Sequence, residues 1–212
     1  SQFIVNRLAE GLSIKVNSPL TKLEKTAEGK LRINDEAEYD AVVFTGDVRA
    51  LGSFYTNASE AQKAVLKSLE NLRSNGTSNL LCECDATDVS WLYLPEAKFK
   101  AHRIIYTGNF APSNNRGSER TTCTVEFSGK HTVEEMVAEI AKLPGNLNMI
   151  DYNYEPNSYV VQDPDTRANI SALKSLSAAD GLYFLGRFGE WEYYNMDKAM
   201  EAAMEVTTQI LG

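Results

Sequence analysis

The sequence predicts an α+β fold: an antiparallel or mixed sheet with helices, and a strand–helix unit built from both ends of the chain. Residues 80–127 form a series of short segments rich in β-branched and aromatic side chains, and an antiparallel sheet is their simplest arrangement. Apolar runs at 38–46 and 182–185 end in small-residue turns, which is typical of strands in a parallel or mixed sheet. We therefore expect the two ends of the chain to meet in one lobe.

Local patterns define the elements of the first third of the chain. The solid apolar run at 38–46 predicts a strand that is buried on both faces. Ser59 can cap the helix that follows, and Asn75-Gly76 is expected to break that helix. The predicted elements are a helix at 2–12, strands at 13–25, 30–34 and 38–46, and a helix from Ser59 to about Leu72.

The remaining elements follow from capping and turn signals. Thr132 and Glu135 match a capping box, and Pro144-Gly145 stops the helix that they open. Asp180-Gly181 turns the chain into the last strand. The predicted strands are 80–84, 89–94, 102–107, 121–127, 149–154, 158–161 and 182–185, and the predicted helices are 132–143, 166–176 and a final helix after Asn195. One lobe is expected to comprise residues 1–58 and 178–212, and the other residues 59–177.

Composition narrows the classes of function. The chain has 212 residues, of which 43% are apolar and 24% charged, and this is enough to bury a substantial core. A net charge of −8 argues against a nucleic-acid or anionic-membrane surface, so local arginines must hold any anionic ligand. No apolar run approaches the roughly 20 residues of a membrane span, and we expect a cytoplasmic protein.

The three cysteines predict neither a disulfide framework nor a metal site. Cys82, Cys84 and Cys123 are odd in number, and the only histidines that could join them are His102 and His131. Cys82 and Cys84 alternate with their neighbours along a predicted strand, which favours a packing role in a reducing compartment. No Gly-x-Ser-x-Gly elbow supports a hydrolase.

The most informative stretch for function is 186–197, with the sequence GRFGEWEYYNMD. It joins the strand at 182–185 to the final amphipathic helix. A strand that leads into a Gly-Arg-aromatic-Gly turn and then a helix start gathers a guanidinium, aromatic rings and open backbone N–H groups. This combination suits a phosphorylated ligand or cofactor.

Four segments together resemble UDP-galactopyranose mutases and their relatives in the amine-oxidase-like FAD superfamily. They are the run at 186–193, the WLYLP segment at 91–95, His102-Arg103 leading to NFAP at 109–112, and YDAVVFT at 39–45. The resemblance follows nearly the whole chain in order. It implies that the terminal lobe is the remnant of a Rossmann-like FAD-binding domain and that the other lobe binds substrate.

The Gly-x-Gly-x-x-Gly turn that binds the FAD pyrophosphate in this family does not occur in the sequence. Because the family has this motif near its start, we expect the chain to be a C-terminal fragment of a longer protein. The fragment alone is expected to lack FAD and activity. Apolar surface uncovered in the terminal lobe is expected to promote self-association.

The resemblance also implies a reaction, in which the N5 atom of reduced FAD is the nucleophile and no protein side chain is catalytic. The substrate would be a UDP-sugar whose pyranose and furanose forms interconvert for surface polysaccharide (LPS or capsule) synthesis. The protein would then orient the sugar nucleotide and stabilise its diphosphate, a task suited to arginine.

The family motifs imply specific site residues. The implied substrate-binding residues are Arg187, Arg103, Tyr193 and Tyr159, and the implied cofactor-binding residues are Arg187, Asn195, Met196 and Asp197. No metal ligand is predicted. Structural roles remain open for these residues: an ion pair with Glu190 or Glu192 for Arg187, a solvated or structural place for Arg103, packing for the tyrosines and helix capping for Asn195 or Asp197. Trp91 and Trp191 are assigned to the core and left out of the site.

Two other functions remain open at this point. An amine-oxidase-like FAD oxidoreductase could use the same scaffold, and a non-catalytic domain could bind a nucleotide sugar or a protein partner. Arginines and tyrosines gathered around one cleft would favour the mutase, whereas an apolar cleft would favour the oxidoreductase. Fold resemblance alone does not decide between them.

Overall fold

A computed structural model describes residues 2–212, and the predicted α+β class is confirmed. One compact unit comprises the chain up to Asn71 together with Asp165–Gly212, and the other comprises Leu72–Pro164. Within the described residues, no helix is both long and apolar enough to cross a bilayer. The helices are α1 (Gln2–Ala9), α2 (Val48–Phe54), α3 (Glu60–Leu69), α4 (Val133–Ile140), α5 (Thr166–Ala178), α6 (Gly186–Gly189) and α7 (Met196–Leu211).

The strands are distributed over three sheets. The five-stranded sheet has the order β6-β7-β8-β5-β9 and is antiparallel throughout, β1–β3 form an antiparallel meander, and β4 pairs in parallel with β10. The strands are β1 (Leu23–Lys25), β2 (Leu31–Ile33), β3 (Ala37–Tyr39), β4 (Val42–Phe44), β5 (Ser74–Cys84), β6 (Trp91–Tyr93), β7 (Ala101–Ile105), β8 (Thr121–Ser128), β9 (Asn148–Val160) and β10 (Leu182–Phe184).

The N-terminal segment differs from its prediction. The helix predicted at 2–12 is the shorter α1, and none of its residues is buried, with Gln2 to Leu8 exposed. Of the strand predicted at 13–25, only Leu23–Lys25 forms a ladder. The alternating Ile14 and Val16 are exposed and pair with no strand among the described residues. The apolar surface of α1 is compatible with the self-association expected from the sequence, which stays a prediction.

The parallel pair of β4 and β10 joins distant parts of the chain. Val42 lies opposite Leu182 and Phe44 opposite Phe184, so a parallel sheet is present as predicted. Val43 is nevertheless exposed, and the expectation that the strand is buried on both faces was wrong. Among the described residues β4 has only one neighbouring strand, which leaves its alternate side chains uncovered.

Two glycines allow the chain to approach β4 closely. Gly181 has φ +74°, and a Cβ atom there would collide with the carbonyl oxygen of Asp40. A Cβ atom on Gly189, in α6, would lie 2.7 Å from the carbonyl oxygen of Phe44. Only a residue without a side chain fits either place, so these glycines set how closely the segments before and after β10 pack on β4.

Asp180 is the centre of a polar network in the same unit. Its carboxylate accepts hydrogen bonds from Lys25 Nζ at 2.5 Å, Gln62 Nε2 at 2.8 Å and the Tyr55 hydroxyl at 3.1 Å. Burial alone would raise the pKa of Asp180, but the hydrogen bonds from Lys25 and Gln62 outweigh it and lower that pKa. The network links β1, α2 and α3 to the turn before β10.

The unit boundaries differ from the predicted lobes at α3 and α5. The sequence assigned both helices to the lobe at 59–177, whereas the structure groups them with the chain termini. The physical reason is side-chain contact, because Gln62 of α3 is buried and donates to Ser177 of α5 as well as to Asp180. Ser59 caps α3 in a capping box with Gln62, which confirms the predicted start of that helix.

The five-stranded sheet packs one face against α4, whose capping box from Thr132 to Glu135 confirms the prediction. Cys82, Cys84 and Cys123 are buried in this core, in agreement with a packing role. The core also contains Leu80, Ile104, Val125, Phe127, Met136 and Ile140. The opposite sheet face carries polar and aromatic side chains.

The sequence predicted a break at Asn75-Gly76 and a gap between strands at 149–154 and 158–161, but both places lie inside continuous strands. Asn75-Gly76 lies inside β5, since α3 already ends at Leu69. The pairing with β9 shifts register between Asn75 and Thr77, and a Cβ atom on Gly76 would lie 2.8 Å from the carbonyl oxygen of Glu155. The glycine therefore marks a bulge where two backbones approach, and β9 runs through as one strand of 13 residues.

Replacing Gly189 tests the contact with β4. We expect Gly189→Ala to lower the free energy of unfolding by about 1–3 kcal/mol, because its methyl group must displace the Phe44 carbonyl. Gly52→Ala, in α2, is the matched control. Its added methyl group lies at an ordinary contact distance of 3.6 Å from Leu66 Cβ, and alanine favours the helix more than glycine does. Urea unfolding of both variants measures the difference, and equal stabilities would contradict the contact.

Asp180→Asn tests the polar network through its pH dependence. We expect it to cost about 1–3 kcal/mol at neutral pH, because Lys25 loses its carboxylate partner. The folded-state pKa of Asp180 is lowered, so its contribution is present above the ordinary carboxyl pKa and is lost as the pH falls through the folded value. Thermal melts of wild type and Asp180→Asn from pH 7 to pH 2 measure how their difference in stability changes with pH.

The exposed pair between Lys30 and Asp40 supplies the control for that experiment. The Asp40 side chain is 87% exposed, so Asp40→Asn should leave the melting midpoint near wild type. A difference between wild type and Asp180→Asn that persists unchanged at the lowest pH would contradict the network.

Candidate functional site

The turn between β10 and α7 is built on an unusual backbone. Gly186 begins α6 with φ +87°, and Trp191 has φ +49° although it carries a side chain. Trp191 is fully buried, packs edge-to-face on Phe188 with ring centroids 5.6 Å apart, and lies under the guanidinium of Arg49. Burial of the indole holds the left-handed residue in place, and Trp191 belongs to the core as predicted.

Cations of α5 fix the two glutamates of this turn. Arg167 pairs with the Glu192 carboxylate at 2.9 Å and donates to the carbonyl oxygens of Glu190 and Trp191. Lys174 Nζ lies 2.6 Å from Glu190 Oε1. Glu190 and Glu192, the ion-pair partners considered for Arg187, are thus engaged by other cations.

Arg187 and Tyr193 come together in this turn. The Arg187 guanidinium carbon lies 4.8 Å from the centroid of the Tyr193 ring, and Arg187 Nη2 donates to the Tyr194 carbonyl oxygen at 2.7 Å. Tyr193 is half-exposed, so a ligand can reach one side of the pair. Burial and the nearby Glu190 carboxylate raise the pKa of Tyr194 to about 12, which keeps this phenol neutral at physiological pH.

The start of α7 carries the other residues implied for a cofactor. Asn195 occupies the N-cap position and accepts the first helical hydrogen bond, but its side chain makes no capping hydrogen bond. Met196 is exposed, and Asp197 is the acidic residue of the first turn. The backbone N–H groups at this end of the helix provide donors and a partial positive charge that a ligand can use.

A second cluster lies on the sheet of the other unit. Ala101 pairs with Phe127 and Arg103 with Glu126, so His102 is the extra residue of a bulge in β7. A bulge sets two residues against one on the partner strand. Glu126 accordingly contacts both neighbours, with Oε1 lying 2.7 Å from His102 Nε2 and Oε2 lying 2.8 Å from Arg103 Nη2. Arg103 also donates to the Tyr159 hydroxyl at 2.8 Å.

This cluster is well shielded. The Glu126 side chain is 10% exposed and that of Arg103 19%. Burial lowers the pKa of Arg103, but the hydrogen bond and charge of Glu126 outweigh it, and the net effect raises that pKa. Burial would raise the pKa of Glu126, whereas the hydrogen bonds from His102 and Arg103 lower it. Both groups stay charged, and Arg103 has a partly structural role.

Two aromatic side chains beside this cluster were missed by the sequence reasoning. Trp91 is 47% exposed and Tyr93 64%, so the assignment of Trp91 to the core was wrong. Tyr93 lies opposite Arg103 in the ladder, and Trp91 stacks on Phe110 with centroids 4.9 Å apart. The signal was present, because alternation places residues 91 and 93 on one face of a strand. An edge strand leaves such a face open.

The structure groups the four implied substrate-binding residues into two arginine–tyrosine pairs. Arg187 with Tyr193 belongs to the unit of the termini, and Arg103 with Tyr159 belongs to the sheet unit. A guanidinium beside a phenol offers planar charged donors and a hydroxyl, the groups that bind phosphate oxygens. Both pairs therefore remain candidates for anion binding.

The two tryptophans provide a test of these surroundings. Trp91→Phe should leave only the emission of buried Trp191, so the spectrum should shift to the blue and acrylamide quenching should fall several-fold. Trp191→Phe, if folded, should leave red-shifted, readily quenched emission. Steady-state fluorescence measures both, and a solvent-accessible signal in Trp91→Phe would contradict the burial of Trp191.

The chain shares its fold with parts of three solved protein structures. No protein-family model matches the sequence, and no curated protein matches it either. A crystal structure of reduced UDP-galactopyranose mutase matches with a TM-score of 0.80 at 16% identity, covering 100% of this chain and 50% of the mutase. A putative protoporphyrinogen oxidase from Exiguobacterium sp. matches with a TM-score of 0.68 at 13% identity, covering 100% of this chain and 51% of the oxidase.

A further match is a protein from Pyrococcus furiosus, with a TM-score of 0.57 at 12% identity over 90% of this chain and 46% of that protein. The chain spans about half the length of the solved structures that it matches. At these identities the likeness establishes the fold that the three proteins share with this chain.

Proposed function

We propose that this chain is part of a flavin-dependent UDP-galactopyranose mutase-like enzyme, which interconverts the pyranose and furanose forms of a UDP-sugar for surface polysaccharide (LPS or capsule) synthesis. The observation that carries the proposal is the contact of Arg187 with Tyr193 in the turn before α7. The fold also supports the proposal, since the whole chain superposes on half of a reduced UDP-galactopyranose mutase.

In the proposed reaction each arginine is a candidate, within its own unit, for binding phosphate oxygens. Arg187 is oriented by the Tyr194 carbonyl and the Tyr193 ring, so its guanidinium is ordered before a ligand arrives. Arg103 is oriented by Glu126 and Tyr159. Ordered guanidinium groups stabilise charge that develops on a leaving diphosphate, because they need no rearrangement at that moment.

The residues present fit one end of an FAD molecule. Arg187, Asn195, Met196 and Asp197 would hold it, and the capping position of α7 lacks a side-chain hydrogen bond that would compete for the helix N–H groups. Asp197 would suit a hydroxyl rather than a phosphate. When bound in its reduced form, FAD would supply the nucleophile, and the protein contributes orientation and charge stabilisation.

A second function uses the same scaffold. The putative protoporphyrinogen oxidase neighbour supports an amine-oxidase-like FAD oxidoreductase as the alternative. The polar and charged side chains of the sheet cluster support a ligand with anionic oxygens, such as the diphosphate of a sugar nucleotide. A non-catalytic domain that binds a nucleotide sugar or a protein partner is the third outcome that the following experiment separates.

The experiment uses the complete natural polypeptide that contains this chain. We expect bound flavin in its absorbance spectrum and, after dithionite reduction, conversion of UDP-galactofuranose to UDP-galactopyranose. Arg187→Ala should lower kcat/KM by about 10²-fold or more, because a charged donor to the diphosphate is lost. Arg116→Ala removes an exposed arginine of the sheet unit and should leave kcat/KM unchanged.

Each other result selects a different function. Bound FAD without turnover of the sugar nucleotide, with or without dithionite, would replace the mutase by an oxidoreductase. A preparation without flavin that still binds UDP-sugars would support the non-catalytic domain. Equal losses in Arg187→Ala and Arg116→Ala would show that Arg187 has no special role.

A further inference from the structure

We infer that Arg167, at the start of α5, is a positioning residue that fixes the turn carrying Arg187 and Tyr193. It acts through this turn and not by touching the ligand. The class of ligand, a molecule with phosphate oxygens, rests on the proposed function above. Arg167 is not among the residues that the resemblance implies.

The turn between α6 and α7 has no regular secondary structure to hold it. Residues 190–195 lie between the end of one helix and the start of the next. The backbone N–H groups of Glu190 and Glu192 donate back to carbonyl oxygens of α6. The carbonyl oxygens of Glu190 and the buried Trp191 receive side-chain donors, and buried carbonyl groups need such partners.

One guanidinium contacts three consecutive residues of the turn. Arg167 Nη2 donates to the carbonyl oxygen of Glu190 at 3.0 Å and to that of Trp191. Arg167 Nη1 donates to Glu192 Oε2 at 2.9 Å. The planar fork of N–H groups in arginine makes this possible, whereas a lysine ammonium is a compact point charge.

The Glu192 carboxylate connects this contact to the candidate site. Its other oxygen, Oε1, accepts a hydrogen bond from the Tyr193 N–H at 3.0 Å. The Tyr193 ring lies against Arg187, with 4.8 Å between the ring centroid and the guanidinium carbon. A continuous series of contacts therefore runs from α5 to the guanidinium that is proposed to bind phosphate oxygens.

The position of Arg167 in its own helix supports this role. Arg167 is the second residue of α5, and the first turn of that helix contains no acidic residue. The partial positive charge at a helix N-terminus disfavours a cation there. The helix itself thus gives no reason for an arginine at this position, whereas the contacts with the turn do.

The contribution of the pair between Arg167 and Glu192 lies in geometry more than in charge. The Arg167 side chain is 45% exposed and that of Glu192 37%, so solvent screens their attraction. We therefore expect the main effect of its loss in ligand binding. A ligand loses affinity when the group that binds it has to become ordered at the same time.

The test measures the affinity of UDP-galactose for the complete natural polypeptide by isothermal titration calorimetry. Arg167→Lys keeps the charge but cannot make all three contacts, and we expect it to weaken binding roughly tenfold. Arg187→Ala removes the group that is positioned. If Arg167 acts through Arg187, adding Arg167→Lys to Arg187→Ala causes no further loss.

Arg120→Lys is the matched control. In the sheet unit, Arg120 contacts a carboxylate and two successive carbonyl groups, as Arg167 does. Its partners are Asp85 at 2.7 Å, the Asn146 carbonyl at 2.9 Å and the Gly145 carbonyl at 3.5 Å. Arg120→Lys should leave the affinity for UDP-galactose unchanged.

Hydrogen exchange measures the order of the turn without any ligand. We expect the Tyr193 amide to exchange several-fold faster in Arg167→Lys than in wild type or Arg120→Lys, because its acceptor on Glu192 is no longer held. Glu192→Ala interrupts the same series of contacts at its next step and should match Arg167→Lys in both measurements. It keeps the inference testable if thermal melts show that Arg167→Lys does not fold.

The outcomes distinguish this inference from the proposed function. If Arg167→Lys and Arg120→Lys lose equal affinity, or if the losses of Arg167→Lys and Arg187→Ala add, the inference fails, while UDP-galactose binding by wild type still supports the mutase. If wild type binds no UDP-galactose but the Tyr193 amide exchanges faster in Arg167→Lys, the proposed function fails and the positioning of the turn stands. Unchanged exchange of that amide overturns the inference whatever ligand binds.

Discussion

The structure of the terminal unit depends on the parallel pairing of β4 with β10, two strands that lie almost at opposite ends of the sequence. Such a long-range pairing has to overcome a large loss of chain entropy, so it needs support at its edges. Gly181 permits contact with the backbone at Asp40, just before β4, and Gly189 permits contact with Phe44 in β4, while the Asp180 network ties the turn to β1, α3 and Tyr55, the residue after α2. The position of α6, and hence of Arg187, follows from this pairing.

Local physics made much of the fold predictable. The capping boxes at Ser59 and Thr132 indicated where two helices begin, and alternation of apolar residues indicated most strands of the large sheet. Contacts between distant residues were not accessible in this way. The bulge at His102, the continuity of β9 past Pro156 and the close approach of Gly189 to Phe44 depend on which strands become neighbours, and no local pattern specifies that.

The sequence named the candidate side chains but not the groups around them, and their roles in binding stay predictions. Arg187 and Arg103 each lie beside a tyrosine, yet their other surroundings differ. Arg187 contacts a carbonyl oxygen and an aromatic ring, whereas Arg103 contacts a buried carboxylate. Only the cross-strand register reveals Glu126 as the partner of Arg103, because the two residues are 23 positions apart in the sequence.

This difference matters because proteins with different names share this fold. At 16% and 13% identity, a mutase and a putative oxidase match the backbone of this chain, so the backbone alone does not select a function. Selection must come from side chains that favour one charge distribution in a ligand. In the sheet unit the Glu126 carboxylate contacts both the Arg103 guanidinium and the His102 ring, so these three side chains, and not the backbone, set the charge beside Arg103.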